Sequence, residues 1–179
     1  MKYYISDVHF GHRNILEFED RPFENTDEMD EEYIRRWNAK VGKGDEVYIL
    51  GDLSFHRGEG TVKILKRLNG MKFLVKGNHD HLFLADKDFD QSLFRWVKDY
   101  HIVKDDGDYI VLFHYPIQTW DRKHYGALHF YGHVHSNKGT MHPMLYEITR
   151  SYNVGIDIIQ EPMTKDEILK FYSEEVEET

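Results

Sequence analysis

Five short clusters of histidine, aspartate and asparagine recur along the chain, and side chains of these types bind metal ions or transfer protons. Histidine is unusually frequent, with 12 among 179 residues. Imidazole is the commonest metal ligand in proteins, and carboxylate and amide oxygens complete mixed nitrogen and oxygen sites. The clusters are Asp7 with His9, Gly51-Asp52, Gly77-Asn78-His79-Asp80, His114, and Gly132-His133-Val134-His135. Their composition indicates a metal centre with acid–base groups beside it.

Each cluster directly follows a run of apolar residues that predicts a β-strand. The runs have strand length and are rich in β-branched and aromatic residues. They cover 2–6, 46–50, 72–76, 109–113 and 128–131. Because the carboxyl ends of strands in an α/β fold gather on one side of the sheet, where ligands bind, we expect the five clusters to meet at one pocket.

The spacing within the clusters supports a shared pocket. Residues i and i+2 of an extended chain project to the same face, so Asp7 and His9 are expected to point together, as are His133 and His135. Glycines before three of the clusters let the backbone turn close to the site. Without His79 and Asp80, the clusters offer seven donors, namely two carboxylates, one amide oxygen and four imidazoles. This number exceeds a tetrahedral zinc site but suits two octahedral-like ions that share a carboxylate, which is a known device for in-line phosphoryl transfer.

The intervening segments predict helices and therefore an α/β fold. Three helices are expected: 26–41 after an N-cap at Asn25 or Thr26, 60–69, and a C-terminal helix that begins with a capping box of Thr164 and Glu167. Strands that alternate with helices favour parallel pairing, whereas a hairpin across 97–113 makes the sheet arrangement mixed. At this length we expect a single domain that spans 1–179.

Composition excludes several classes of function. The formal net charge of −9 argues against an extended nucleic-acid-binding surface, which needs clustered lysine and arginine. The absence of cysteine excludes disulfide frameworks, thiolate zinc sites and cysteine nucleophiles. No window approaches the roughly 20 apolar residues that span a bilayer. We therefore expect a soluble, cytoplasmic protein without a membrane partner.

The five clusters, in this order, resemble the signature of the calcineurin-like metallophosphoesterases: D-x-H, G-D, G-N-H-D, a single H, and G-H-x-H. The segment "YNVGID" at 152–157 is similar to the strand that follows the last block in small bacterial and phage members. The resemblance implies a four-layer α/β/β/α sandwich of two mixed sheets flanked by helices. It also implies two metal ions, the first held by Asp7, His9, Asp52 and His135, and the second by Asp52, Asn78, His114 and His133.

The resemblance further implies a hydrolase. His79 would stabilise the charge on the phosphate and protonate the leaving oxygen, and Asp80 would orient the His79 ring. A hydroxide that bridges the two ions would attack in line. Manganese is the favoured metal, and iron, zinc, cobalt or nickel would also suit these ligands.

The substrate expected from this pattern is a small phosphodiester, and nucleotide-type diesters are among the candidates. A diester is favoured because the sequence lacks a compact arginine cluster of the kind that grips a monoester. The alternatives are a phosphomonoesterase acting on nucleotides or small molecules, a non-catalytic scaffold of the same fold, and a histidine-rich metal store. Nothing in the sequence selects an oligomeric state.

Other residues are candidates for substrate binding. His12 either touches phosphate or supports a ligand, and His56 follows the bridging aspartate by four positions. The segment 114–126 is the expected specificity loop, in which Trp120, Arg122 and His124 would stack on a base or bind a second phosphate. A core position for Trp120 is an equal alternative. His101 and His142 are assigned to structural or surface positions.

Overall fold

Two four-stranded sheets form the centre of the protein. The computed structural model describes residues 1–136 and 149–177, so His142 lies outside the described residues. The first sheet contains, in spatial order, β1 (Lys2–Ile5), β2 (Glu46–Ile49), β3 (Met71–Val75) and β4 (Phe94–Lys98). The second contains β5 (Tyr100–Asp105), β6 (Asp108–Phe113), β7 (Leu128–Tyr131) and β8 (Ser151–Asn153).

Strand direction is mixed, as expected. The four strands of the first sheet are parallel, and Tyr4 of β1 adds an antiparallel bridge to Met163. In the second sheet β5 and β6 form an antiparallel hairpin, which confirms the turn predicted within 97–113, and the other pairs are parallel.

Six α-helices occur in the described part of the chain. They are α1 (Ile15–Phe18), α2 (Thr26–Lys40), α3 (Gly58–Arg67), α4 (His81–Leu84), α5 (Ile156–Ile159) and α6 (Lys165–Glu177). Short 3₁₀ helices cover Gln91–Leu93 and Lys123–Tyr125. None of the helices within 1–136 and 149–177 has both the length and the apolar character that a bilayer crossing requires.

The capping signals in the sequence are used as expected. The side chain of Asn25 accepts the backbone N–H of Glu28 at 2.9 Å and so begins α2. At the start of α6, Glu167 accepts the N–H of Thr164 at 2.8 Å, and Thr164 Oγ1 accepts the N–H of Glu167 at 3.4 Å. This reciprocal pair is the predicted capping box.

Apolar side chains pack on both faces of each sheet. Helices α2 and α3 cover the outer face of the first sheet through residues that include Met29, Trp37 and Leu65. A second cluster, with Tyr4, Phe130 and Ile168 among its members, lies between the two sheets and against α6. The structure is therefore two facing sheets flanked by helices, as the resemblance implied.

The strand β4 was not among the five predicted strands. It ends at Lys98 and β5 begins at Tyr100, so only Asp99 separates two strands that belong to different sheets. A continuous β-type pattern across 94–105 contains no turn signal that divides it. The boundary is set by how the two sheets pack.

Candidate metal centre

The carboxyl ends of strands from both sheets converge and bring the predicted ligands to one edge of the sandwich. Strands β1, β2 and β3 of the first sheet lead into Asp7 with His9, into Asp52, and into Asn78. Strands β6 and β7 of the second sheet lead into His114 and into His133 with His135. The site therefore draws on both sheets.

Among the described residues, two groups made of predicted donors could each hold a metal ion at this edge, and a third group of Glu19, His135 and Asp157 shares His135. Asp7, His9 and His135 make up one group, and Asp52, His114 and His133 make up the other. Within each group, the candidate ligand atoms lie within 4.8 Å of one another.

Asp52 belongs to the second group and also lies close to the first. Its Oδ2 atom is 3.8 Å from His9 Nε2 and 3.5 Å from His114 Nε2. Burial would raise the pKa of Asp52, but the neighbouring His114 lowers it to about 2, so the carboxylate is ionised. A carboxylate in this position can contact two cations at once.

The environment of His9 fits a metal ion. Among the described residues, its Nε2 is a buried side-chain atom without a hydrogen-bond partner, and the residue is 2% exposed. Burial and the neighbouring His135 lower the pKa of His9 to about 2, so the ring is neutral. An unpaired buried nitrogen is costly unless a ligand satisfies it, and a neutral imidazole nitrogen is a metal ligand.

The environment of His114 fits a metal ion as well. Its Nδ1 lies 2.7 Å from the carbonyl oxygen of Leu50, to which it can donate, and this leaves the lone pair on Nε2. That Nε2 faces Asn78 Oδ1 at 3.1 Å and Asp52 Oδ2 at 3.5 Å. Burial lowers the pKa of His114, but Asp52 and Asp7 raise it to about 9 overall. Converging acceptors of this kind attract either a proton or a cation.

Asp7 links the loops of the two sheets. Its buried carboxylate accepts the backbone N–H of His133 at 2.9 and 3.1 Å, and burial raises its pKa. The loops approach so closely that a Cβ atom on Gly132 would lie 2.2 Å from Asp7 Oδ2. Glycine is therefore required there, in agreement with the role expected for the glycines beside the site.

The backbone at the ligands is left-handed rather than extended. Five of the seven candidate ligands have φ between 49° and 72°: Asp7, His9, Asp52, His133 and His135. The i and i+2 argument from extended chain is therefore corrected. Asp7 and His9 do share one group, whereas His133 and His135 separate into different groups. The backbone strain of a non-glycine residue in the left-handed region is about 1–3 kcal/mol, and such residues are concentrated at functional sites.

Two residues that the sequence analysis missed support His135. Asp157 Oδ2 lies 2.7 Å from His135 Nδ1, and Arg21 donates to both carboxylate oxygens of Asp157 at 2.7 and 2.9 Å. The same guanidinium donates to the backbone carbonyls of Asp7 and Val8, each at 2.8 Å. Arg21 is 136 positions from Asp157, so no local pattern reveals this contact.

Asp80 has different partners from those expected. Its fully buried carboxylate accepts the backbone N–H groups of Asp52 at 3.1 Å, Leu53 at 2.9 Å and Gly77 at 2.7 Å. Burial raises its pKa to about 6. Because both oxygens are engaged by backbone amides, Asp80 positions the loops after β2 and β3 rather than orienting the His79 ring.

His79 lies half-buried at the rim of the site. Its backbone N–H donates to Asp52 Oδ1 at 2.8 Å. Its ring centroid lies 4.9 Å from that of Phe55 and 6.0 Å from that of His9. The residue is therefore anchored through its backbone while its ring stays at the opening.

Of the histidines expected near substrate, His12 contacts a candidate ligand, whereas His56 pairs with an aspartate outside the candidate centre. His12 Nδ1 lies 3.0 Å from His9 Nδ1, and its ring stacks on Phe55 at 3.7 Å. This geometry favours the supporting role for His12. His56 Nε2 instead lies 2.7 Å from Asp30 Oδ2, a contact that raises the pKa of His56. This ring nitrogen is therefore engaged by Asp30, and substrate binding by His56 stays a prediction.

The expected specificity loop does not deliver its three candidate residues to the metal centre. Trp120 is 7% exposed, donates to the carbonyl of Ala127 at 3.0 Å and packs against Val111, which is the core alternative. The guanidinium carbon of Arg122 lies 4.3 Å from the centroid of the Tyr109 ring. Tyr109 is near the start of β6, whereas His114 follows the other end of that strand. His124 is exposed on the 3₁₀ helix. Because Trp120 is buried in the apolar core, its ring cannot contact a molecule at the metal centre.

The fold and site together define an α/β protein with two facing sheets and a candidate metal centre at their shared edge. The uncharacterised protein MJ1445 of Methanocaldococcus jannaschii is 31% identical over 171 residues, which cover 94% of this chain and 89% of that protein. The chain belongs to the same family as MJ1445. The Gene 66 protein of Mycobacterium phage L5 is 27% identical over a 195-residue alignment that covers 93% of this chain and 91% of the phage protein.

A solved structure shares the fold over almost the whole chain. The crystal structure of AQ665 from Aquifex aeolicus, a protein described as of unknown function, has a TM-score of 0.74 and 26% identity, and the match covers 95% of this chain and 98% of that one. No family model matches the chain. The resemblance to calcineurin-like metallophosphoesterases therefore rests on the motifs and their placement.

Proposed function

We propose that the protein is a metal-dependent phosphoesterase that hydrolyses a small phosphodiester. The observation that carries this proposal is the arrangement of two ligand groups around a shared, ionised Asp52 at the edge of both sheets. A paired-ion site of this kind is a known solution for displacement at phosphorus.

The residues that would hold the ions follow from the two groups. Asp7, His9, Asp52 and His135 would hold one ion, and Asp52, Asn78, His114 and His133 would hold the other. When bound, the ions would neutralise phosphate oxygens and acidify the attacking water. Manganese is our first choice, and iron, zinc, cobalt or nickel would also suit these nitrogen and oxygen ligands.

His79 is the proposed general acid. Its backbone is tied to Asp52, and its half-buried ring is at the opening, where the phosphate would enter. A ring nitrogen of His79 would hold a proton near the leaving oxygen and transfer it as the P–O bond breaks. Asp80 would act indirectly, because it fixes the loops that carry Asp52 and His79.

The state of Arg21 supports a diester over a monoester. A monoester carries more negative charge than a diester, and arginine is well suited to bind it with paired hydrogen bonds. Arg21 lies beside the ligand groups, but it is 5% exposed and already donates to Asp157 and to two backbone carbonyls. It is therefore not available to grip a substrate phosphate.

Hydrolysis of chromogenic esters tests the proposal. The protein loaded with Mn²⁺ should hydrolyse bis-p-nitrophenyl phosphate faster than p-nitrophenyl phosphate. Asp52→Asn should lose the activity and bound metal together. His79→Gln should keep its metal and lose about 10²–10⁴-fold in kcat on a diester with an alcohol leaving group, and less on the nitrophenyl esters, because p-nitrophenolate leaves without a proton. His124→Gln, a change at an exposed histidine outside the centre, is the matched control and should leave kcat unchanged.

Three outcomes would contradict parts of this proposal. Binding of a metal pair without turnover of either ester, across manganese, iron, cobalt, nickel and zinc, would favour the non-catalytic scaffold. A preference for the monoester would overturn the diester assignment. Full activity of His79→Gln on the diester with an alcohol leaving group would remove its role as the acid.

A further inference from the structure

A groove lies directly beside the candidate metal centre and is not used by any step proposed above. It has a volume of about 570 Å³ and lies between α4, β4 and the end of β6. Two of its lining residues adjoin the ligands, since Gly77 precedes Asn78 and Tyr115 follows His114. The Tyr115 ring centroid is 4.6 Å from that of His133. A molecule bound at the metal centre could therefore extend into the groove.

The groove is suited to an uncharged group. Leu84, Ala85, Val97 and Phe113 supply apolar walls. Among the described residues that line it, the permanent cation is Lys76, whose Nζ lies 2.7 Å from Asp99 Oδ1. Because these two charges pair with each other, the groove has no free cation for a second phosphate. The sequence predicted that a specificity loop would stack on a base or bind a second phosphate. The groove supports stacking on a base.

Polar groups in the groove favour a planar group with hydrogen-bonding edges. His81 Nδ1 lies 2.7 Å from the carbonyl of Asn78, and donation there leaves His81 Nε2 as an acceptor. The Gln91 side chain, also in the lining, offers both donors and an acceptor. Tyr115 provides the aromatic face, and its carbonyl lies 3.3 Å from Nε2 of the buried His129, which anchors the start of the loop.

We infer that this groove binds the nucleobase of a nucleotide-type phosphodiester, with the base against the ring of Tyr115 and the phosphate at the metal centre. The volume is within the 300–1,000 Å³ typical of small-ligand sites. Stacking of a base on an aromatic ring is worth about a 5- to 150-fold gain per base. The inference rests on the proposed phosphodiesterase function and assigns its substrate class.

Two diesters with the same leaving group test this assignment. Thymidine 5′-(p-nitrophenyl) phosphate and methyl p-nitrophenyl phosphate differ only in the group that remains on phosphorus. We expect the ratio of their kcat/KM values to be at least tenfold in favour of the thymidine ester. Tyr115→Ala should reduce this ratio about tenfold, and Tyr115→Phe should keep it. Ala85→Met, which fills the groove from an exposed position, should also reduce it.

The control is Tyr109→Ala, which removes a partly exposed tyrosine at the other end of β6 and should preserve the ratio. A ratio near one in the unmodified protein, with the methyl ester hydrolysed, would overturn the groove assignment and leave the proposed function intact. An unchanged ratio in both Tyr115→Ala and Ala85→Met would overturn it too. If neither ester is hydrolysed, the proposed function fails and the inference fails with it.

Discussion

At the residue scale, three candidate imidazole ligands share one arrangement. In each ring the Nδ1 atom is engaged by a neighbour, which leaves Nε2 as the ring nitrogen available to a metal ion. The pairs are His9 with His12 at 3.0 Å, His114 with Leu50 O at 2.7 Å, and His135 with Asp157 at 2.7 Å. Such contacts fix the tautomer and the orientation of metal-binding histidines.

The contact between Asp157 and His135 gives a prediction that concerns one of the two proposed ions. Asp157→Asn keeps the size of the side chain but removes the charge that supports the His135 ring. We expect the dissociation constant of the ion held by His135 to rise about 10- to 100-fold, with the other ion unaffected. Competition with a chelator would measure both constants.

Asp121→Asn is the matched control for Asp157→Asn, because the Asp121 side chain is 59% exposed and lies outside the candidate centre. It should change neither constant. Equal weakening of both ions in Asp157→Asn would contradict the separate assignment of His135 to one ion.

At the scale of elements, the loops after β2 and β3 depend on each other. Asp80, after β3, accepts N–H groups from Asp52 and Leu53 after β2, and Asp52 accepts the N–H of His79 in return. A Cβ atom on Gly77 would lie 2.2 Å from Asp52 Oδ1, so the two loops touch. This contact places the proposed general acid relative to the Asp52 carboxylate.

Removal of the Asp80 carboxylate should destabilise the fold. Asp80→Ala leaves two buried backbone N–H groups and the partly buried N–H of Gly77 without their acceptor, at about 1–3 kcal/mol for each buried group. We expect the free energy of unfolding to fall by about 3 kcal/mol or more in urea denaturation.

The control for this change is Asp90→Ala. Asp90 also accepts a backbone N–H, from Ser92 at 3.0 Å, but it is exposed, so water replaces the lost acceptor. We expect a loss below about 1 kcal/mol. Similar losses in the two variants would show that burial does not set the cost at Asp80.

At the scale of the whole molecule, the candidate centre is a junction between the two sheets. Asp7, His9, Asp52 and Asn78 follow strands of the first sheet, whereas His114, His133 and His135 follow strands of the second. Apolar packing joins the sheets along their faces, and bound ions would join them again at one edge.

Metal removal should therefore lower the stability of the whole protein. A ligand at 100 times its dissociation constant stabilises the native state by about 2.7 kcal/mol, and 1 kcal/mol shifts Tm by about 2–4 °C at this size. We expect a chelator to lower Tm by about 5–10 °C, and Mn²⁺ to restore it, in thermal unfolding experiments. Asp52→Asn should show no manganese-dependent shift. Equal Tm values with and without metal in the unmodified protein would contradict the proposal that bound ions join the two sheets.

Most of the fold could be predicted because its signals are local. The five expected strands, the α2 cap at Asn25 and the capping box of α6 all match short patterns of apolar and capping residues. The strand β4 could not be separated from β5, because the single residue Asp99 carries no turn signal. Packing of two different sheets determines that boundary.

The substrate side of the site was the least predictable part. Trp120 and Arg122 have side chains suited to binding a base or a phosphate, but one packs into the core and the other stacks on Tyr109. Tyr115, in the same loop, adjoins the ligands instead. The residue types of a loop do not reveal which of its side chains will be buried in the core.

The order of donor residues after apolar runs is a property of the sequence alone, and it determined which side chains would gather at the strand ends. Only the tertiary structure decided that Arg21 and Asp157 support His135, that Asp80 joins two loops, and that five candidate ligands have left-handed backbone. The physical reason is the sequence separation of the residues that interact. Strand formation and alternation depend on neighbouring residues, whereas a hydrogen bond between residues 136 positions apart exists only after the whole chain has packed.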